Sequence, residues 1–300
     1  MLDITVIILT RDEDVHIERA IRSAQRLSAR IIVVDSFSTD RTCEIARSLG
    51  ARVYQHEFTN QAKQFAWALK TGIETEWVLK LDADEIIGSD LVAELHEVLP
   101  RLPPNVTGLD MRLKWVFMDR SIRFGGRYPI YLLRLFRFRH GRIEDKWMDE
   151  HIVLTDGVCA HCKGHLLDRN LRGISYFVSK HNRYATREAV DVLLKRIPGR
   201  ASTAETKLSP QAAAKRFLKE RVYNKAPVLL APFLYFSYRM IIRLGVLDGR
   251  TGIIYHELQG LWYRFIVAAK LLELENSLER NATAEQQLFQ IERLTGCKVN

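Results

Sequence analysis

The stretch "EWVLKLDADEIIGSD", Glu76–Asp90, decides the fold. Val78, Leu79 and Leu81 form a short apolar run that reads as a buried strand. The strand runs directly into Asp82, Asp84 and Glu85. Three carboxylates at the end of an apolar segment repel one another and lose hydration, so their placement calls for a compensating partner. Two aspartates one residue apart, just past a strand end, can point into one cleft and share a divalent cation. Hard oxygen ligands suit Mg²⁺ or Mn²⁺, which complete their shells with water and substrate phosphates. Taken alone, D-x-D is a weak signal that reads more readily as a solvated turn.

The segments upstream repeat the same rhythm. Ile4–Leu9 is an apolar run, and "VHIERAIRSAQ" then places Ile17, Ala20, Ile21 and Ala24 at helical spacing. Ile31–Val34 reads as a second strand; Asp40 can cap the following helix, which Gly50 closes. Arg52–Gln55 is a third strand, Asn60 caps "QAKQFAWALKTG", and Glu76–Asp90 holds the fourth. Alternating strands and helices predict an α/β fold, a mostly parallel sheet with helices on both faces. In such sheets ligands sit beyond the carboxyl ends of the strands. Here those ends read "TRDED", "DSFSTD" and "DADE", so acidic and hydroxyl side chains converge on one edge.

From Gly108 to Leu154 the pattern changes to longer β-like runs, "GLDMRLKWVF" and "YLLRLFRF", with the turn "FGGRYP" between them in a strongly basic region. Beyond Leu171 the chain reads as helical, with a break at "IPGRAS" and a restart at Ser209-Pro210. The expected division is residues 1–165, carrying the sheet, and residues 166–300, a helical region that associates with membrane.

The 300 residues, 47% of them hydrophobic, suffice for one sizeable core and a smaller second module. A formal charge of +9 favours an anionic partner: nucleic acid, a phospholipid surface or a phosphorylated substrate. Nucleic acid fits poorly, because the strand ends are acidic and need a metal to bring phosphate near. Four unevenly spaced cysteines suggest no disulfide framework and fit a reducing compartment. The opening "MLDITVIILTRDED" reads as a strand rather than a signal peptide, so a cytoplasmic protein is expected. Ala226–Tyr238, the longest uncharged run, is well short of the roughly 20 residues that span a bilayer. Lys215, Arg216, Lys219, Arg221 and Lys225 precede this aromatic-rich run, a pattern suited to the anionic surface of a membrane's cytoplasmic face.

Taken together, "ITVIILTRDED", "IIVVDSFSTDRT" and "WVLKLDADE" resemble the glycosyltransferase family 2 proteins, which have a GT-A fold. The resemblance covers roughly residues 3–155. The later segments "FGGRYPIYLLRLFRF", "MDEHIVL", "KHNRYATREA" and "DGRTGIIYHELQGLWYRFIVAAKL" resemble the branch that builds bacterial lipopolysaccharide core and exopolysaccharide. It implies transfer of a sugar, with inversion, from a nucleotide-sugar donor, most simply a UDP-sugar, to a lipid-linked glycan acceptor.

Residue by residue, the resemblance assigns Thr10, Arg11 and Glu13 to the nucleotide edge and Asp35 to the base or ribose. It puts Asp82 beside the ribose and metal, and makes Asp84 the main metal ligand. Lys63 and Gln64 match positions that approach the donor. The family commonly has Asn in place of Asp12, and Asp-Gly-Ser in place of Ser36, Phe37 and Ser38. For the base that deprotonates the acceptor, "KWMDEHIVL" offers Glu150 and Asp149. Arg127 and Arg134 are candidate cations for the leaving diphosphate, or alternatively members of a salt-bridged hairpin.

Other readings compete. A haloacid-dehalogenase-like phosphatase would use Asp82 as nucleophile and Asp84 as acid, but that motif belongs on a first strand. A nucleotidyltransferase should carry a Gly-rich loop after strand one, and "LTRDEDVH" has no glycine. A non-catalytic basic protein that binds membrane surfaces would leave the acidic edge incidental. "CAHCKGH" gathers Cys159, His161, Cys162 and His165, though four zinc ligands from so short a run would strain tetrahedral geometry. "KHNRYATREA" offers Lys180, His181 and Arg183 as a phosphate site at a helix start, or as the solvated face of a helix.

Overall fold

The protein's structure is a computed structural model describing residues 1–144, 151–197, 229–279 and 282–297. The chain divides into two units, Met1–Arg123 with Arg127–Arg172, and Phe124–Gly126 with Gly173–Asn300.

The first unit opens with β1 (Ile4–Thr10), α1 (Asp14–Ala24), β2 (Arg30–Asp35), α2 (Thr42–Ser48), β3 (Arg52–Gln55), α3 (Gln61–Ala68) and β4 (Trp77–Asp82). It continues through β5 (Glu85–Ile87), α4 (Ser89–Val98), β6 (Val106–Phe117), β7 (Arg120–Ser121), β8 (Ile130–Arg137), β9 (Gly141–Ile143), β10 (Ile152–Leu154) and β11 (Val158–Arg169). The main sheet runs β3-β2-β1-β4-β8-β6-β11-β5, with β7 beside β6 and a separate β9-β10 pair. Strands β3, β2, β1 and β4 are parallel, whereas β8 joins both β4 and β6 in antiparallel fashion. The sheet is therefore mixed, and its parallel half carries the expected βαβ rhythm. Because β11 runs on to Arg169, the sheet unit extends past residue 165.

β1 is buried nearly throughout, as a central parallel strand covered on both faces must be. Its alternate residues feed two cores. Ile4, Val6 and Ile8 pack with Ile17, Ala20, Ile21 and Ala24 of α1, while Ile7 packs with Phe65 of α3 and with Val78 and Phe136. This two-residue alternation fixes which way every side chain at the strand ends points. Asn60 caps α3 as its sequence predicts, its side chain accepting the Lys63 amide at 2.7 Å.

The second unit includes α5 (Ile174–Leu194) and the helix Tyr263–Ser277, joined through Ala185, Tyr263 and Val267. Glu188 accepts from the Tyr263 hydroxyl at 2.6 Å and from Arg264 at 2.5 Å. Lys180, His181 and Arg183 lie well inside α5, so they form no helix-start phosphate site. Ser209-Pro210 and the basic residues 215–225 lie outside the described residues. Among the described residues no helix is long and apolar enough to cross a membrane.

Candidate active site

Chain order places β2 and β3 to one side of β1 and β4 to the other, so β1 and β4 flank a topological switch point. Register aligns the functional residues there. Thr10 pairs with Asp35 across β1 and β2, and Leu9 pairs with Asp82 across β1 and β4. The two aspartates thus sit at the same edge on either side of one strand.

On the β2 side the loops are tied into a hydrogen-bonded frame. Asp35 is fully buried and accepts from the Thr10 hydroxyl at 3.1 Å, from the Ser38 amide at 2.8 Å and from the Ser38 hydroxyl. Burial alone would push its carboxyl pKa up; the hydrogen bonds from Ser38, Cys43 and Thr10 outweigh it and leave the pKa below the ordinary value. Asp12 links the two loops, its amide donating to Ser38 at 2.8 Å and its carboxylate accepting the Thr39 amide at 2.7 Å. Asp12 has φ +53° and Phe37 φ +56°. The left-handed region suits Asp or Asn and penalises a large side chain such as Phe, which here is 56% exposed. Arg11 is exposed, and Glu13 holds Nδ1 of buried His16, whose Nε2 accepts the Leu171 amide at 2.9 Å.

On the β4 side Asp82 and Glu85 join one ion cluster. Asp82 accepts from Lys80 at 2.9 Å and from Arg134 at 2.8 Å, and Arg134 also donates to Glu85 at 2.6 Å. Glu85 in turn accepts the Asp82 amide at 2.9 Å. Burial favours protonated Asp82, but the charges of Arg134 and Lys80 prevail and hold it ionised, well below the usual carboxylate range. Burial pushes Glu85 the other way, to about 7, because Arg134 cannot fully compensate two carboxylates. Arg134 is thus an internal counter-ion to Asp82 and Glu85. Lys80 was not anticipated, although two-residue alternation along β4 places it on the face of Asp82.

Asp84 stands apart from that cluster. It is half-buried and accepts from Asn170 at 3.3 Å, and its charge acts on nearby Arg19 against the burial that lowers the arginine's pKa. Among the described residues no three His, Cys, Asp or Glu side chains gather around a common metal position. A Mg²⁺ or Mn²⁺ ion held with a diphosphate needs only one or two protein carboxylates, and the oxygen donors of Asp84 and Asp82 suit it chemically.

The remaining expected residues occupy varied places. Lys63 is exposed at the start of α3. Gln64 is buried, exchanging hydrogen bonds with the His56 ring at 2.7 Å and with the Ser36 hydroxyl at 3.1 Å, so its amide braces the loops after β2 and β3. The Arg127 guanidinium lies 4.3 Å from the Trp115 ring centroid. Asp149 and Glu150 lie outside the described residues. Along β11, His161 pairs with Asp110 and His165 with Asp90, while Cys162 is buried and Cys159 exposed; these residues do not converge as a zinc site.

Residues 5–114 match the family model described as glycosyl transferase family 2. Over 95 residues the chain is 39% identical to an uncharacterized glycosyltransferase of Rickettsia bellii (strain RML369-C), covering 32% of each chain. Over 98 residues it is 36% identical to another from Rickettsia typhi (strain ATCC VR-144 / Wilmington), covering 33% of each. The match thus spans about a third of the length of these curated relatives. The mannosyltransferase of Pyrobaculum calidifontis, solved with GDP-Man and Mn²⁺, superposes with a TM-score of 0.51 at 16% identity, covering 90% of this chain and 87% of that one. The fold is GT-A, and its N-terminal part carries the family 2 glycosyltransferase pattern.

Proposed function

We propose that the protein is an inverting, metal-dependent glycosyltransferase. It moves a sugar from a nucleoside-diphosphate donor, most simply a UDP-sugar, to a lipid-linked glycan in lipopolysaccharide or exopolysaccharide assembly. It works at the cytoplasmic face of the inner membrane. The observation that carries this reading is the alignment of Asp35 and Asp82 on either side of β1, with Asp84 two residues beyond, in the segment that matches the family.

In this reading Thr10, Arg11 and Glu13 line the nucleotide edge, and Asp35 rigidifies it through Ser38. Lys63, on the exposed face of α3, reaches toward the donor. Asp84, with Asp82 beside it, would hold the cation. A bound Mg²⁺ or Mn²⁺ would stabilise the negative charge that grows on the departing diphosphate. Lys80 and Arg134 keep Asp82 ionised and fixed in direction. Glu150 or Asp149 takes the proton from the acceptor hydroxyl as it attacks the anomeric carbon.

The dehalogenase-like phosphatase reading puts its nucleophile at the end of a first strand, whereas Asp82 ends the fourth in chain order. A hydrolysis screen across nucleotide sugars tests the proposal without knowledge of the acceptor. Slow Mn²⁺-dependent release of nucleoside diphosphate from one donor, lost in Asp84→Asn, is expected. Absence of turnover with every donor and every metal would argue against it.

A further inference from the structure

Among the described residues of the second unit, one turn exposes a run of apolar side chains. Between the helix Ala231–Ser237 and the helix Gly249–His256, the segment Ile241–Leu247 exposes five aliphatic side chains out of seven residues. Ile241 is 67% exposed, Ile242 68% and Leu247 59%, with Leu244 and Val246 close to half. Contiguous exposed aliphatics of this kind mark an interaction surface, since isolated ones are the ordinary case.

The turn is held firmly in this form. Three of its backbone donors find internal acceptors: Arg243 N to Tyr238 O at 3.0 Å, Leu244 N to Ile241 O at 3.3 Å and Leu247 N to Leu244 O at 3.0 Å. The Arg243 carbonyl accepts from Gly125 N at 2.8 Å. Beneath it, buried Arg239 bonds the His256 ring at 2.7 Å, and His256 faces Asp248 at 3.3 Å. Leu244 adopts φ +56°, where a glycine or asparagine would be favoured by backbone and by water alike.

Charge selects the occupant. From Leu229 to Leu247 the sequence has no Asp or Glu, and its charges are Arg239 and Arg243. Arg239 is buried, so the exposed charges at the turn are cationic, Arg243 within it and Arg250 just beyond. Apolar tips rimmed by arginine suit the boundary of an anionic bilayer, where aliphatic groups enter the acyl region and guanidinium groups meet phosphate. A second copy of this chain would bring like charges together.

We infer that the turn Ile241–Leu247 is a membrane-inserting element that seats the protein on a phospholipid surface rich in anionic lipid. The inference rests on the membrane location proposed above and names the element that makes the contact; it does not depend on the donor chemistry.

Flotation of the full chain with phosphatidylglycerol-containing vesicles at high salt tests it, because salt screens attachment by charge alone. Wild type should float, and a triple variant, Ile241→Ser with Ile242→Ser and Leu247→Ser, should bind at least about tenfold more weakly with an unchanged melting curve. If the triple variant fails to fold, Leu247→Trp serves instead: its emission should be quenched by brominated lipid beyond the background of the native tryptophans. Three results would overturn the inference. These are equal flotation of a folded triple variant, no quenching at position 247, and a wild type that ignores vesicles, whether as a dimer that the triple variant dissociates or as a monomer.

Discussion

Arg134 places one guanidinium nitrogen 2.8 Å from Asp82 and makes Asp82 part of a buried ion cluster. The same nitrogen serves Glu85 at 2.6 Å, and Arg134 is only 8% exposed. Arg134→Ala would strand two carboxylates around Lys80, and removing one partner of a buried ion pair typically costs about 3–5 kcal/mol. Urea unfolding should show a loss of that size, with Arg134→Lys recovering part of it. A loss under about 1 kcal/mol would show that the cluster is hydrated and weak.

Glu85 makes this cluster sensitive to pH. Its folded pKa, raised to about 7 from 4.5, means that the folded chain binds a proton more tightly than the unfolded one. The associated stability is fully present below 4.5 and is lost as pH rises through about 7. Glu85→Gln, permanently neutral, should flatten that part of the profile, so that the variant gains on wild type between those two pH values. Parallel profiles for the two proteins would contradict the assignment.

Gln64 and Lys63 are neighbours with opposite roles. Gln64→Ala removes the partner of His56 and Ser36 inside the protein, and should cost about 2–3 kcal/mol in thermal or urea unfolding. Lys63→Ala, on an exposed side chain, should stay within about 0.5 kcal/mol while weakening donor binding several-fold. Equal effects on stability would remove the distinction.

Much of this was legible in the sequence, and the reasons for the exceptions are physical. Strands β1 and β2 followed from β-branched apolar runs, and Asn60 was readable as a cap from local chemistry alone. β5 is only three residues long and lies within the acidic stretch itself, so no periodicity could reveal it. Two-residue alternation carried the information that Lys80 accompanies Asp82, but Arg134 arrives from a strand 52 residues away and its pairing depends on register. Asn170 and Leu171, which reach Asp84 and His16 from the end of β11, have no sequence signal because chain folding alone brings them there.

Phe37 occupies a left-handed position where the family commonly has glycine. Phe37→Gly relieves a steric cost of about 1–2 kcal/mol and adds a chain-entropy cost of about 0.5–1 kcal/mol, so a net gain between about 0 and 1.5 kcal/mol is expected. Denaturant midpoints decide this directly. A destabilised glycine variant would mean that the exposed ring packs in a way that offsets its backbone conformation.

Calorimetric titration of UDP and GDP into the full chain, with and without Mn²⁺, puts the account to its most direct test. One nucleotide should bind at least about tenfold more tightly with Mn²⁺, and Asp84→Asn should erase that increment while leaving the unfolding free energy within about 1 kcal/mol of wild type. Binding that ignores both the metal and Asp84, or no nucleotide binding under any condition, would contradict it.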